Sequence, residues 1–243
     1  MSTRKDDYYD EEARVYSEKR YPSVAQNYVH FLFTHRRDLV LTFLKKVIEE
    51  TPAPRTLLEV GCADGILLRS IEDLYPGAFH TMLGVDLSKS MVGVAQSLTR
   101  TLSITYIVRN ELSPINTFNV VLEIGVAALA LDTRGEIKVL ADQLVEGGYL
   151  LCSFGGRTSI ASRLARGASG DNSVLRPYHE YERMLCERFS IILSRPYGLY
   201  VPLLWRIPVL ARLLQPVVEV LGLVVPNLCH ERLYLLKKLP AQT

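Results

Sequence analysis

The sequence predicts a doubly wound α/β protein: a mostly parallel, seven-stranded sheet with flanking helices and a helical cap inserted before the last strand. Three observations carry this prediction. Short apolar runs alternate with amphipathic stretches from Thr56 to Phe154, and strands separated by helices pair in parallel through right-handed crossovers. A glycine-bearing turn, Gly61 to Gly65, follows the first run. A carboxylate, Asp86, ends the second.

The elements follow in order from local pattern. Residues 1–25 are polar, with Tyr8, Tyr9, Tyr16 and Tyr21 among many charges. Leu39, Val40, Phe43, Leu44, Val47 and Ile48 recur at helical spacing, and Pro52 and Pro54 end that helix. Thr56 to Val60 reads as a buried strand and Ile66 to Leu74 as a helix closed by Pro76-Gly77. His80 to Asp86 is a second strand, Ser88 to Leu98 a second helix, Ile104 to Val108 a third strand and Phe118 to Glu123 a fourth. Ile137, Leu140, Ala141 and Leu144 mark a helix ending at Gly147-Gly148, before a fifth strand from Tyr149 to Phe154. A Gly/Ser/Arg-rich loop with Arg157, Arg163 and Arg166 runs to Ser173. Tyr178 to Cys186 is helical in pattern, and Phe189 to Ser194 and Glu231 to Lys237 supply two more strands. Between those two lies an apolar stretch, Leu199 to Pro226, and no internal repeat is visible.

Composition narrows the function classes. A chain of 243 residues accommodates one α/β domain with additions and does not require a second core. With 48% hydrophobic and 22% charged residues it is globular. A net charge of +2 offers no global attraction for nucleic acid. The cysteines Cys62, Cys152, Cys186 and Cys229 form no C-x-x-C pair and have no accompanying His cluster, so no metal site is expected. The first twenty residues are too charged for a signal peptide, which favours a cytoplasmic protein with reduced thiols.

The turn after the first strand discriminates between cofactors. Gly61 allows a sharp turn and close approach to a ligand, and Gly65 allows tight strand–helix packing. A dinucleotide fingerprint needs G-x-G-x-x-G, but Ala63 and Ile66 stand where its second and third glycines belong. The run Glu59-Val60-Gly61-Cys62-Ala63-Asp64-Gly65 fits acidic-x-Gly-x-x-x-Gly instead. Here the chain resembles the class I S-adenosylmethionine-dependent methyltransferases of small-molecule type, in which this loop wraps the methionine part of the cofactor. Ala63 departs from the glycine common there.

The resemblance covers residues 55–155 well and implies further roles. Asp86 can accept hydrogen bonds from both ribose hydroxyls, with Leu87 and Met91 flanking the adenosine. Asn110 and Glu111 stand where an acidic residue often bonds the adenine amino group. Glu123 and Ile124, at the end of the fourth strand, are placed for the cofactor, and Glu123 also for the acceptor. The Gly147-Gly148 turn falls where the family has one. Ala13, Tyr16 and Arg20 echo a segment that folds over the cofactor, so Tyr16 and Arg20 are candidates for its carboxylate. The whole reads as one domain over residues 1–243, divided into an N-terminal helical segment (1–54), a cofactor-binding core (55–155) and an acceptor-side half (156–243) with a helical cap at 199–226.

Methyl transfer from a sulfonium is an in-line displacement and imposes no unique catalytic motif. Any general base is expected near the strand ends, and His179 and Glu123 are the candidates. No Asn-Pro-Pro-Tyr or Asp-Pro-Pro-Tyr follows the fourth strand, which in this family turns expectation toward oxygen, carbon or alkyl-amine acceptors. Arg206, Arg212, Glu219 and three prolines interrupt 199–226, so a spanning helix is a poor reading. A buried insertion, a mobile cap over an apolar pocket and peripheral membrane contact all fit. The expected reaction is transfer of a methyl group from S-adenosylmethionine to a small-molecule or lipid-like acceptor. A nicotinamide-dependent oxidoreductase, a non-catalytic binding module and an RNA or protein methyltransferase are the alternatives. Oligomeric state is not readable.

Overall fold

A computed structural model describes residues 12–112, 118–126, 132–169 and 175–240. Among them, seven strands form one sheet: β1 (Thr56–Val60), β2 (Thr81–Asp86), β3 (Ile104–Val108), β4 (Phe118–Ile124), β5 (Leu144–Gly155), β6 (Phe189–Leu199) and β7 (Cys229–Lys238). Their order is β3-β2-β1-β4-β5-β7-β6. The first five run parallel, and β7 pairs antiparallel with both β5 and β6. The helices are α1 (Tyr16–Arg20), α2 (Tyr28–Glu50), α3 (Ile66–Leu74), α4 (Lys89–Leu98), α5 (Thr133–Gln143), α6 (Ile160–Ser169), α7 (Tyr178–Leu185) and α8 (Pro208–Val224).

Side-chain alternation along the strands divides the core in two. Leu57, Met82, Val120, Leu122 and Leu151 face α2, α3 and α4, meeting Leu44, Leu68 and Ala95. Leu58, Val85, Val121, Leu150 and Cys152 face α5 and α7, meeting Leu140 and Tyr181. The parallel strands are thus covered on both sides, which explains why they read as continuous apolar runs.

Three elements differ from the sequence reading. Gly147 and Gly148 do not close a helix; α5 ends at Gln143 and β5 already begins at Leu144. Gly147 has φ +72°, and the β4–β5 register shifts between Phe118 and Val120, so the glycines form an irregularity inside the strand. The expected basic loop contains a helix, α6. Ser159 caps it, its Oγ accepting from the Ser162 N–H at 3.1 Å, and Ile160 packs against the Leu199–Val218–Cys229 cluster. Cap and packing together override the weak propensity of its serines and Gly167. The 199–226 region is mainly α8, with Pro208 in its first turn and Pro216 inside it. Only one face of α8 is buried, through Ala211, Gln215, Val218, Glu219 and Gly222, so a wholly buried insertion is excluded.

Candidate active site

Strand order reverses between β1 and β4, and the crevice above their carboxyl ends is where open α/β sheets bind ligands. The loop leaving β1 bends through three left-handed residues, Gly61 (φ +79°), Ala63 (φ 48°) and Gly65 (φ +77°). A Cβ at Gly65 would run into the Tyr106 ring and hydroxyl. The loop is tied to β2: the Gly61 and Cys62 N–H groups donate to the Val85 carbonyl at 2.8 and 3.1 Å.

Asp86, at the end of β2, holds the loop as well. Its Oδ2 accepts from the Ala63 N–H at 2.9 Å and its Oδ1 from the Ser88 N–H at 3.0 Å. Ser88 in turn caps α4, its Oγ accepting from the Met91 N–H at 3.2 Å. Leu87 is 68% exposed beside this carboxylate, whereas Met91 is only 1% exposed. Asn110 and Glu111 lie exposed in a 3-10 turn after β3.

Two further carboxylates converge on the loop. Asp64 is buried and accepts from the Ser17 hydroxyl, so the N-terminal segment does fold onto the loop. Glu59 is 4% exposed, and its Oε2 has no hydrogen-bond partner among the described residues. Burial, reinforced by the charges of Asp86 and Asp64, pushes its carboxyl well above the usual range, against the pull of Arg69 and Arg36. Desolvation of a lone carboxylate is costly, so such a group favours a bound cation.

The N-terminal segment brings cations too. Arg20 lies over the Tyr16 ring at 4.2 Å and pairs with Glu12 at 2.6 Å. Arg36 of α2 was not among the expected residues. It is buried, its guanidinium is 4.3 Å from the Phe33 ring centroid, and its Nη1 touches the position that a Cβ at Gly125 would fill. In sequence it sits within His35-Arg36-Arg37-Asp38, a run indistinguishable from a solvated helix face.

Glu123 is fully buried, level with Val60 and Cys152 on the α5/α7 face of the sheet, while Ile124 packs toward the α2 side. His179 is exposed in the first turn of α7, and its neighbour Tyr178 is buried, donating to the Cys229 carbonyl at 3.1 Å. The two proposed bases therefore occupy unlike settings, one sealed in the core and one in solvent.

Beyond β5 the same edge of the sheet carries a polar cluster that sequence reasoning missed. Glu231, at the start of β7, accepts from Arg36 Nη1 at 3.3 Å, Ser153 Oγ at 3.2 Å and the Tyr197 hydroxyl. Its carboxyl lies below the usual range: burial raises it, but Arg36, His230 and the two hydroxyl donors outweigh that. Glu219 of α8 lies 3.2 Å from His35 Nε2 and accepts from Gln215 at 3.0 Å. Beside them Phe31 stacks between His35 (5.2 Å) and Trp205 (5.8 Å), and Tyr28 meets Tyr200 edge-on at 4.8 Å. Its members come from residues 28–36, 153, 197–205, 219 and 231, too dispersed for any local motif.

A family model described as a methyltransferase domain matches residues 28–188, more than half of the chain and short of β6, α8 and β7. The malonyl-[acyl-carrier protein] O-methyltransferase of Anoxybacillus flavithermus is 27% identical over 144 residues, covering 58% of this chain and 53% of that protein, so the matched region spans about half the length of this curated relative. A chain of the Haloferax volcanii complex containing the Trm112 methyltransferase activator superposes with a TM-score of 0.65 at 14% identity, covering 99% of both chains. The plantazolicin methyltransferase BpumL, in complex with a triazolic desmethylPZN analog and SAH, gives 0.60 at 18% identity, covering 97% of this chain and 99% of its own. At these identities the solved structures speak for the fold.

Proposed function

The chain belongs to the methyltransferase domain family, and on that premise we propose that it transfers a methyl group from S-adenosylmethionine to a small-molecule acceptor with an apolar body, at oxygen, carbon or an alkyl amine. The observation that carries the reading is Glu59: a buried carboxylate with an unpartnered oxygen, beside Asp64 and Asp86, under a loop bent through three left-handed residues. That donor set fits a cofactor bearing an ammonium and a sulfonium. The sulfonium supplies an already activated methyl group, which leaves the chain to bind, orient and exclude water.

Glu59 would face the cationic methionine end, and the backbone from Gly61 to Gly65, including Cys62 and Ala63, would wrap it. Asp86 would add the ribose hydroxyls to the two backbone donors it already holds. Exposed Leu87 and the turn at Asn110 and Glu111 would border the adenosine, with Met91 packed beneath. Arg36, along with Tyr16 and Arg20, would meet the carboxylate, and the segment pinned by Ser17 to Asp64 would shield the methyl group from water. Ile124 and Glu123 would close the β4 side.

The acceptor reading is supported by the half-buried aromatic group of Phe31, Trp205, Tyr28 and Tyr200, which offers an apolar wall at the carboxyl end of the sheet. If proton removal is needed, His179 is the solvent-accessible candidate, and Glu123 would act only after opening. Calorimetric titration with S-adenosylhomocysteine tests the whole: saturable binding is expected, and no heat at about 1 mM, the upper end of ordinary enzyme affinities, would overturn it. A parallel titration with NADH should show none, separating this reading from an oxidoreductase.

A further inference from the structure

The polarity of α8 is inverted. A helix on the surface of a globular domain turns its apolar stripe to the core and its polar stripe to water. In α8 the polar residues Gln215 and Glu219 point inward, bonded to each other, with Glu219 also beside His35 and within 3.4 Å of the Gly198 N–H. Every exposed residue from Val209 to Val225 is apolar; Leu213 is 72% exposed, Val217 58%, Val220 61% and Val224 76%. Arg212 is half-buried, its guanidinium donating to the Ala25 carbonyl at 3.0 Å, and Val24 beside it extends the apolar surface.

We propose that the outer face of α8 is a docking surface for an anionic lipid bilayer, lying in the plane of the interface. Three features choose this occupant. First, the face has no side-chain hydrogen-bonding group over four turns, whereas protein–protein interfaces carry about one hydrogen bond per 100–200 Å². Hydrocarbon asks for none. Second, the rim is of one sign. Arg206 is exposed just before the helix; at its other end Thr158 Oγ1 donates to the Asn227 carbonyl at 2.8 Å, which places exposed Arg157 and Arg163 nearby. The single carboxylate between Leu199 and Cys229 is Glu219, which is buried. A basic rim around an apolar face complements acidic headgroups over acyl chains. Third, a two-fold contact with a second copy would set this arginine rim against itself. At 17 residues the helix is about 25 Å long, and no helix among the described residues is long and apolar enough to cross a membrane. Partial immersion is what the geometry permits.

The proposal stands apart from the identity of the acceptor. The test is flotation of the full chain with phosphatidylcholine vesicles and with vesicles of phosphatidylcholine mixed with phosphatidylglycerol, at low and high salt. The chain should float with the anionic mixture, less with phosphatidylcholine alone, and less again at high salt. Leu213→Asp with Val217→Asp should lower the bound fraction about tenfold or more, and Arg206→Glu should weaken binding to the anionic vesicles only. Both variants change exposed positions, so an unchanged Tm certifies folding without reference to cofactor binding. Equal flotation of the double Asp variant, or no flotation of the parent chain, overturns the proposal. So does a dimer in lipid-free solution that the double variant dissociates while vesicles capture nothing, which would make this face a seam between two copies.

Discussion

The two ends of the sheet's carboxyl edge treat buried carboxylates in opposite ways. Above β1 and β2, Glu59, Asp64 and Asp86 crowd together, and Glu59 keeps an oxygen without a protein partner. Above β6 and β7, Glu231 is satisfied by Arg36, Tyr197 and Ser153, and Glu219 by Gln215 and the Gly198 N–H, with His35 beside it. Native interiors pair their buried polar groups, so an unpaired carboxylate marks a place completed by something else, and a saturated one marks a joint. In the proposed function, the first end receives the ligand. The second fastens α2, β6, β7 and α8 to one another and holds the aromatic group in place.

The largest effect that can break this contrast is at the joint. Arg36→Met leaves Glu231 buried without its countercharge and should cost about 3–5 kcal/mol, a fall in Tm of roughly 10 °C for a chain of this size; adding Glu231→Gln should recover part of it. A loss below about 1 kcal/mol would mean the joint is not a joint. Because the folded carboxyl of Glu231 lies below its ordinary value, the stability it contributes is complete above the usual glutamate range and is lost as pH falls through the folded value. Acid melts of Glu231→Gln should therefore be shallower than those of the parent.

At the first end, Asp86→Ala should weaken S-adenosylhomocysteine about a hundredfold by calorimetry, roughly 3 kcal/mol, since it would remove the proposed ribose acceptor and free the Ala63 and Ser88 donors. Unchanged affinity would remove Asp86 from the site. Next in size is Gly65→Ala, where a left-handed backbone and the Tyr106 ring both oppose a Cβ; about 2 kcal/mol of stability should go, read as a lower Tm, and Tyr106→Ala should restore only the steric part. The smallest effect sharpens the contrast most. Burial and its like-charged neighbours push the Glu59 carboxyl well above its ordinary range, and a cationic ligand would bring it down. Ligand binding should then release a proton, and affinity should rise with pH, by up to about tenfold per unit, until the free protein's own value is passed. Titrations in buffers of different ionisation enthalpy read the proton directly. Glu59→Gln should abolish the release; its persistence would assign the proton elsewhere.

Legibility followed the same divide. The placement of Glu59, Gly61, Gly65 and Asp86 was readable because each belongs to a strand end and the turn after it, and the demands on them are local. Arg36, Tyr197 and Glu231 were not, because a buried ion pair between α2 and β7 spans most of the chain and looks in sequence like two solvated charges. The helix α6 escaped notice for another reason: its serines and glycine argue against it, and the Ser159 cap and Ile160 packing decide it.

By itself, the sequence determined the alternation of strand and helix, the seven strands and the sharp glycine-bearing turn at Gly61–Gly65, since period-two and period-3.6 patterns and glycine's conformational freedom act over a few residues. Only the tertiary structure decided which charges meet in the interior and which way α8 faces. Gln215 and Glu219 would pass for the solvent stripe of that helix. The fold turns them inward, where they bond each other and Glu219 accepts from the Gly198 N–H, and so leaves the leucines and valines outside.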